Sequence, residues 1–171
     1  PICLGLLCSC SDYLDIVPDN VTTLDIVFNN KNTAQRYLAN CYHFVPDHGS
    51  VKRIPGMGAG HECWFYTDKD SYFDNEVSFY IARGLQNTNA PYANYWDGEG
   101  GSKLPMFRAI RECNIFLSYV RDQHKVNDLT DSERKRWIAE VNVLKAYYHF
   151  FLFEHYGPIP IVDEALPVST S

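Results

Sequence analysis

The stretch TDSERKRWIAEVNVLKAYYHFFLFEHYGP, residues 130–158, decides the fold. Thr130 and Glu133 stand three apart, the spacing at which each side chain can bond the other's backbone N–H and start a helix. Trp137, Val141, Leu144, Tyr148, Phe151/Leu152 and His155 then recur every three or four positions, one face of a helix over 131–156. Gly157-Pro158 ends it. Upstream, Phe107, Ile110, Cys113/Asn114, Leu117 and Val120 draw a second stripe over 103–124, with Pro105 suited to the first turn. A linker of about six residues between two such helices forces an antiparallel hairpin over 103–156.

Outward from the hairpin the signals weaken. A shorter helix is expected over 32–45, opened by Asn32 with Gln35 and stopped by Pro46. Residues 46–101 form a long, glycine-punctuated insertion with room for a short helix over 70–82. Loops of that length in compact domains are usually functional. Residues 11–29 show no steady period and read as an extended lead-in turning near Pro18-Asp19-Asn20, and the tail after Pro158 reads as extended. A long hairpin with one further helix resembles a unit of a helical-repeat array, whose faces need neighbours. With the sequence stopping mid-segment at Ser171, the expectation is the N-terminal part of a longer protein.

Composition narrows the function. Over 171 residues, 15 Lys+Arg against 21 Asp+Glu give a net charge of −6, and no basic run exists to neutralise phosphates, so nucleic acid is a poor partner. Hydrophobic residues at 46% and charged residues at 21% suit a globular chain of one domain. Twelve Tyr are more than a core needs, because each hydroxyl wants a partner or water. That surplus fits either a binding surface or Tyr-rich helix packing.

The first ten residues, PICLGLLCSC, carry no charge and read as the end of a signal-peptide apolar region over 1–9. Leu7-Cys8-Ser9-Cys10 resembles a bacterial lipobox with Cys10 as the lipid acceptor, which would anchor a lead-in over 10–30 to a membrane. Of the six Cys, Cys41, Cys63 and Cys113 then remain, too widely spaced for a zinc site. Cys41 and Cys113 fall on apolar helix faces and read as small core residues. Export would permit one disulfide among the three, its pairing left open.

These pieces, in order, carry a resemblance. Cys10 with Ser11-Asp12-Tyr13-Leu14-Asp15, Ala39-Asn40-Cys41-Tyr42, Ala109-Ile110-Arg111-Glu112-Cys113-Asn114-Ile115-Phe116-Leu117, Ala139 through Phe150, and Tyr156-Gly157-Pro158-Ile159-Pro160 follow the pattern of the SusD/RagB family. Over essentially all 171 residues the chain resembles the N-terminal part of such an outer-membrane nutrient-binding lipoprotein, with 31–171 as the N-terminal part of its SusD-like α-helical domain. Lys145 stands where an Arg is common, keeping the charge without the bidentate fork. The resemblance implies a mostly α, SusD-like fold with tetratricopeptide-like helix hairpins and a long loop insertion. It implies lipid anchorage at the outer-membrane surface, a TonB-dependent SusC-like transporter as partner, and capture of an oligosaccharide or other nutrient without catalysis or cofactor.

A sugar site needs flat aromatic faces for the apolar side of the ring and amides or charges for the hydroxyls. Within 60–101 the candidates are Trp64, Tyr66, Arg83, Asn94, Tyr95 and Trp96, with Tyr92 and Asp97 nearby. Trp96 could instead be a structural residue under the start of the hairpin's first helix, Trp64 a core residue, and Arg83 and Asn94 loop anchors. Arg111 and Asn114, mid-helix, read as a buried polar network with Glu140 of the facing helix as a partner for Arg111. Asp68, Asp70, Asp74 and Glu76 read as a solvated loop: Tyr72 and Phe73 stand where a calcium loop needs a ligand and a glycine, so no metal is expected. No H-E-x-x-H, G-x-S-x-G or phosphate-loop motif occurs, and no carboxylate pair is placed for glycoside hydrolysis. The competing functions are a helical scaffold binding peptide or protein and, more distantly, a glycoside hydrolase fragment.

Overall fold

A computed structural model describes residues 23–50, 54–56, 58–60, 77–99 and 102–165. Five helices run in order: α1 Leu24–Val27, α2 Lys31–Tyr42, α3 Val77–Ala82, α4 Met106–Arg121 and α5 Asp131–Tyr156. There is no strand among the described residues, and no helix among them is long and apolar enough to cross a membrane.

The expected hairpin is the spine of the molecule. Thr130 and Glu133 form the capping box at the start of α5, and the Gly157 N–H closes its end on the Phe153 carbonyl at 2.8 Å. Gly157 takes φ +76°, the left-handed conformation that glycine adopts without steric cost. Trp137, Val141, Leu144, Tyr148, Phe151 and Leu152 are buried against Ile110, Cys113, Phe116, Leu117 and Val120 of α4. His155 ends the stripe in a more exposed position. Burying side chains of this size stabilises the hairpin by roughly 1.5–3 kcal/mol each. Helix α5 is apolar on its outer side too, with Val143, Phe150 and Phe153 exposed.

A residue that periodicity does not mark closes the hairpin turn. Arg134 is buried, and its guanidinium donates to the carbonyls of Val120 (2.6 Å), Asp122 (3.1 Å), Lys125 (3.0 Å) and Val126 (3.1 Å). The last carbonyls of a helix have no partner within it, so Arg134 supplies one to the end of α4. It also holds Val126 at φ +51°, a strained conformation for a β-branched residue. The Val126 N–H donates to the Phe28 carbonyl at 3.1 Å, which joins the turn to the residue capping α1.

Helix α2 lies across the hairpin. Ala34, Leu38 and Cys41 are its buried residues. The Tyr148 hydroxyl donates to the Cys41 carbonyl at 2.5 Å, and the Tyr37 hydroxyl to the Glu112 carboxylate at 2.5 Å. Phe28 stacks on Tyr119 at 4.4 Å and meets Tyr37 and Phe116, so the short α1 turn inserts an aromatic ring between α2 and α4.

Several expected boundaries shift. Helix α2 starts at Lys31 with Asn30, rather than Asn32, as cap, its side chain accepting from the Thr33 N–H at 3.1 Å. The α2 helix ends at Tyr42, and Val45 is exposed. The lead-in contains α1, where four residues are too few to show a period. Helix α4 is shorter at both ends than 103–124, and Pro105 sits at its cap. The short helix expected over 70–82 is present as α3, the residues before 77 lying outside the described ones.

Candidate functional site

The loop from α3 to α4 is built by short-range amide bonds and then fastened to the end of α5. Gln86 Oε1 accepts from the N–H groups of Tyr92 (2.8 Å) and Ala93 (3.2 Å). Asn87 Oδ1 accepts from Asn89 (3.1 Å) and Ala90 (2.8 Å). Such side chains mimic a turn's backbone and fix loops without a core. Asn94 Nδ2 donates to Asp97 at 2.6 Å, and Asn94 Oδ1 accepts from the Trp96 N–H at 3.1 Å. Next to them Gly98 takes φ +80°, and a Cβ there would lie 2.7 Å from the Pro105 ring.

Tyr156, on the last turn of α5, is the fastening point. Its hydroxyl accepts from the Tyr95 N–H at 2.8 Å and donates to the Ala93 carbonyl at 3.3 Å. Burial pushes its phenol up, against the lowering effect of the backbone N–H bonds, so it keeps the proton it donates. The loop in turn caps α4: the Met106 N–H donates to the Tyr95 carbonyl at 2.9 Å and the Phe107 N–H to the Trp96 carbonyl at 3.4 Å. First-turn amides have no partner inside their own helix, so the loop backbone supplies it.

Two neighbouring aromatics are thereby sent to opposite environments. Tyr95 is 1% exposed, its ring 5.0 Å from Phe151 and 4.7 Å from His155. It is a core residue, and its face is not open to a ligand, which corrects its place among the candidate contacts. Trp96 remains 44% exposed while its ring packs on Phe107 at 4.5 Å and edge-on to Tyr156 at 5.9 Å. It therefore packs at the start of α4 and still presents indole surface to solvent.

That surface borders a groove of about 330 Å³ lined by Gln86, Asn87, Thr88, Pro91, Asn94, Trp96 and Tyr156. None of these lining side chains carries a charge at neutral pH. The groove offers one indole, one phenol, a proline ring, three amides and a hydroxyl. Asn94, a candidate from sequence, lines it but spends two amide bonds on the loop itself. Arg83 is exposed just past α3 and is not among the lining residues. Trp64, Tyr66 and Cys10, with the Asp68–Asp70 run, lie outside the described residues. Among the described residues no group of His, Cys, Asp or Glu is arranged to hold a metal ion.

Sequence reasoning missed Gln86 and Tyr156. Gln86 carries no motif. Tyr156 stands immediately before the helix-ending Gly157-Pro158, where its ring could have been placed at the end of α5 facing whatever loop returns there.

The supposed polar network is also rearranged. Glu140 pairs with Arg136 one turn back at 3.5 Å rather than across to the half-buried Arg111. Buried Asn114 instead ties down the tail, its Nδ2 donating to the Val162 carbonyl at 3.1 Å while its Oδ1 has no partner among the described residues. His149 Nε2 accepts from the Val162 N–H at 3.2 Å and Nδ1 faces the Lys145 carbonyl at 2.8 Å, which together require the Nδ1–H tautomer. Lys145 Nζ bonds the Asp163 carbonyl (3.2 Å) and carboxylate (3.1 Å). A single ammonium reaches both oxygens.

Fold and groove define an α-helical hairpin protein that carries a loop-built, aromatic-edged surface groove. The chain belongs to the SusD-like family, described as starch-binding and associating with the outer membrane, whose model matches residues 12–169. No curated protein and no solved structure gives a match.

Proposed function

We propose that this chain is the glycan-capturing part of a surface lipoprotein. It holds an oligosaccharide at the outer membrane and delivers it to a TonB-dependent, SusC-like transporter, without catalysing a reaction. The observation that carries this reading is Trp96, which keeps 44% of its surface exposed at the edge of a groove although a loop and a helix end are built around it. An indole fixed in this way offers a flat apolar platform without losing side-chain freedom on binding. The amide oxygens of Gln86 and Asn87 are spent on the loop backbone, so the remaining amide N–H groups of Gln86, Asn87 and Asn94 supply donors for sugar hydroxyls, and the Thr88 hydroxyl supplies a donor and an acceptor. Uncharged walls favour a neutral glycan over an acidic one, in line with the family's description as starch-binding. Trp64 and Tyr66 are proposed as further aromatic contacts, and Arg83 as a contact for a longer oligosaccharide. Anchorage is proposed through lipid on Cys10: Cys10→Ala should release the full-length protein from membranes in cells lacking the transporter, and retention would contradict it.

Calorimetry on the full-length protein against neutral and acidic oligosaccharides tests the binding reading. Trp96→Ala should weaken the cognate neutral glycan by about 1–3 kcal/mol, by analogy with base–aromatic stacking. Trp137→Ala, a core change, should lower stability instead. Wild-type affinity in Trp96→Ala would overturn the assignment of this groove.

A further inference from the structure

Cys41 on α2 and Cys113 on α4 are free thiols, and both side chains are fully buried. The register of the two helices brings them together. Tyr37 bonds Glu112 and packs its ring on Phe116 at 6.4 Å, so Cys41, one turn beyond Tyr37, faces Cys113 beside Glu112. Tyr148 holds the Cys41 carbonyl from the α5 side, and Cys113 is the neighbour that, with burial, pushes the Cys41 thiol up. We propose that Cys41 and Cys113 form a disulfide that staples α2 to the hairpin once the protein has left the cytoplasm.

Association with the outer membrane takes the family through the periplasm, where disulfides form and persist. The oxidant is a disulfide carried by a thiol–disulfide oxidoreductase. One cysteine thiolate attacks that disulfide and forms a mixed disulfide, releasing one oxidoreductase thiol. The second cysteine thiolate then displaces the other, so the S–S bond forms as two thiol protons and two electrons leave and the carrier becomes a dithiol. Because both sulfurs are buried, exchange precedes the closing of α2 onto α4. Afterwards the contact with Cys113 and burial hold the Cys41 thiol well above its ordinary range, so a pair that escapes oxidation during folding stays reduced.

Peptide mapping of the full-length protein exported to the periplasm, alkylated in denaturant before any reduction, tests this. The expected result is a cross-linked pair joining the Cys41 and Cys113 peptides that separates on reduction. Closing a loop of roughly 70 residues should also raise Tm by on the order of 10 °C, an increment lost in reductant and absent from the Cys41→Ala/Cys113→Ala variant. Recovery of both peptides as alkylated thiols, or of either joined to Cys63, overturns the proposal. The mapping uses the unaltered protein and decides the matter even if the double variant fails to fold.

Discussion

Arg134 closes the hairpin turn through four carbonyl oxygens, and its chemistry sets what a substitution should cost. Removing the guanidinium strips the α4 end of its partner and releases Val126 from its strained backbone. A bond from a charged donor contributes about 1.5–3 kcal/mol, and several are lost together. Arg134→Ala should therefore destabilise the protein by about 2–4 kcal/mol in urea unfolding. Arg134→Lys should recover less than half of that, because an ammonium cannot span acceptors spread along the turn. Equal stability of Arg134→Ala and wild type would show that solvent satisfies these carbonyls equally well. Tyr95 and Trp96 make the same point about position. Adjacent in sequence and alike in chemistry, they diverge because Tyr156, 61 positions away, takes the Tyr95 N–H and turns its ring inward.

Among the elements, the start of α2 and the start of α5 hold each other. The Lys31 N–H donates to both carboxylate oxygens of Asp128 (2.8 and 3.0 Å), placing negative charge at the α2 N-terminus, where the helix dipole favours it. Lys31 Nζ reaches Glu133, already engaged in the α5 capping box. These contacts, the Lys31 bond foremost and then those of Thr130, lower the Glu133 carboxyl from its ordinary 4.5 to about 2. A depressed acid contributes stability above its unfolded pKa and loses it as pH falls toward the folded value. The urea midpoint should thus fall between pH 4.5 and 2, and Glu133→Gln should flatten that fall while lowering the midpoint at pH 7. An unchanged acid profile in Glu133→Gln would place the acid sensitivity elsewhere.

The same junction explains what was legible in the sequence. Helix α5 could be read to the residue because its signals are local: a capping box, a periodic stripe and a stop. The start of α2 could not, because the choice of Asn30 over Asn32 follows from Lys31 meeting Asp128, 97 positions on. The loop's residue types pointed to a site. Which of them face the groove depends on Tyr156 and on amide turns that no periodicity reveals.

On the scale of the whole molecule, the end of the spine and the groove are one structure. The last turn of α5 carries Tyr156, Tyr156 holds the loop, and the loop both caps α4 and supports Trp96. Tyr156→Phe keeps the ring in the groove wall and removes only the hydroxyl that fixes Tyr95 and Ala93. Stability should fall by about 1 kcal/mol, the usual net worth of a neutral hydrogen bond. Glycan affinity in calorimetry should fall more than that, because the platform loses its support. An affinity equal to wild type would show that packing on Phe107 alone positions Trp96.

The most direct test of the central claim is nuclear magnetic resonance of the Trp96 and Trp137 indole N–H groups during titration with the cognate neutral glycan. The account predicts that the Trp96 resonance moves in proportion to saturation while that of buried Trp137 stays in place. Saturable binding that leaves the Trp96 resonance where it began would contradict it.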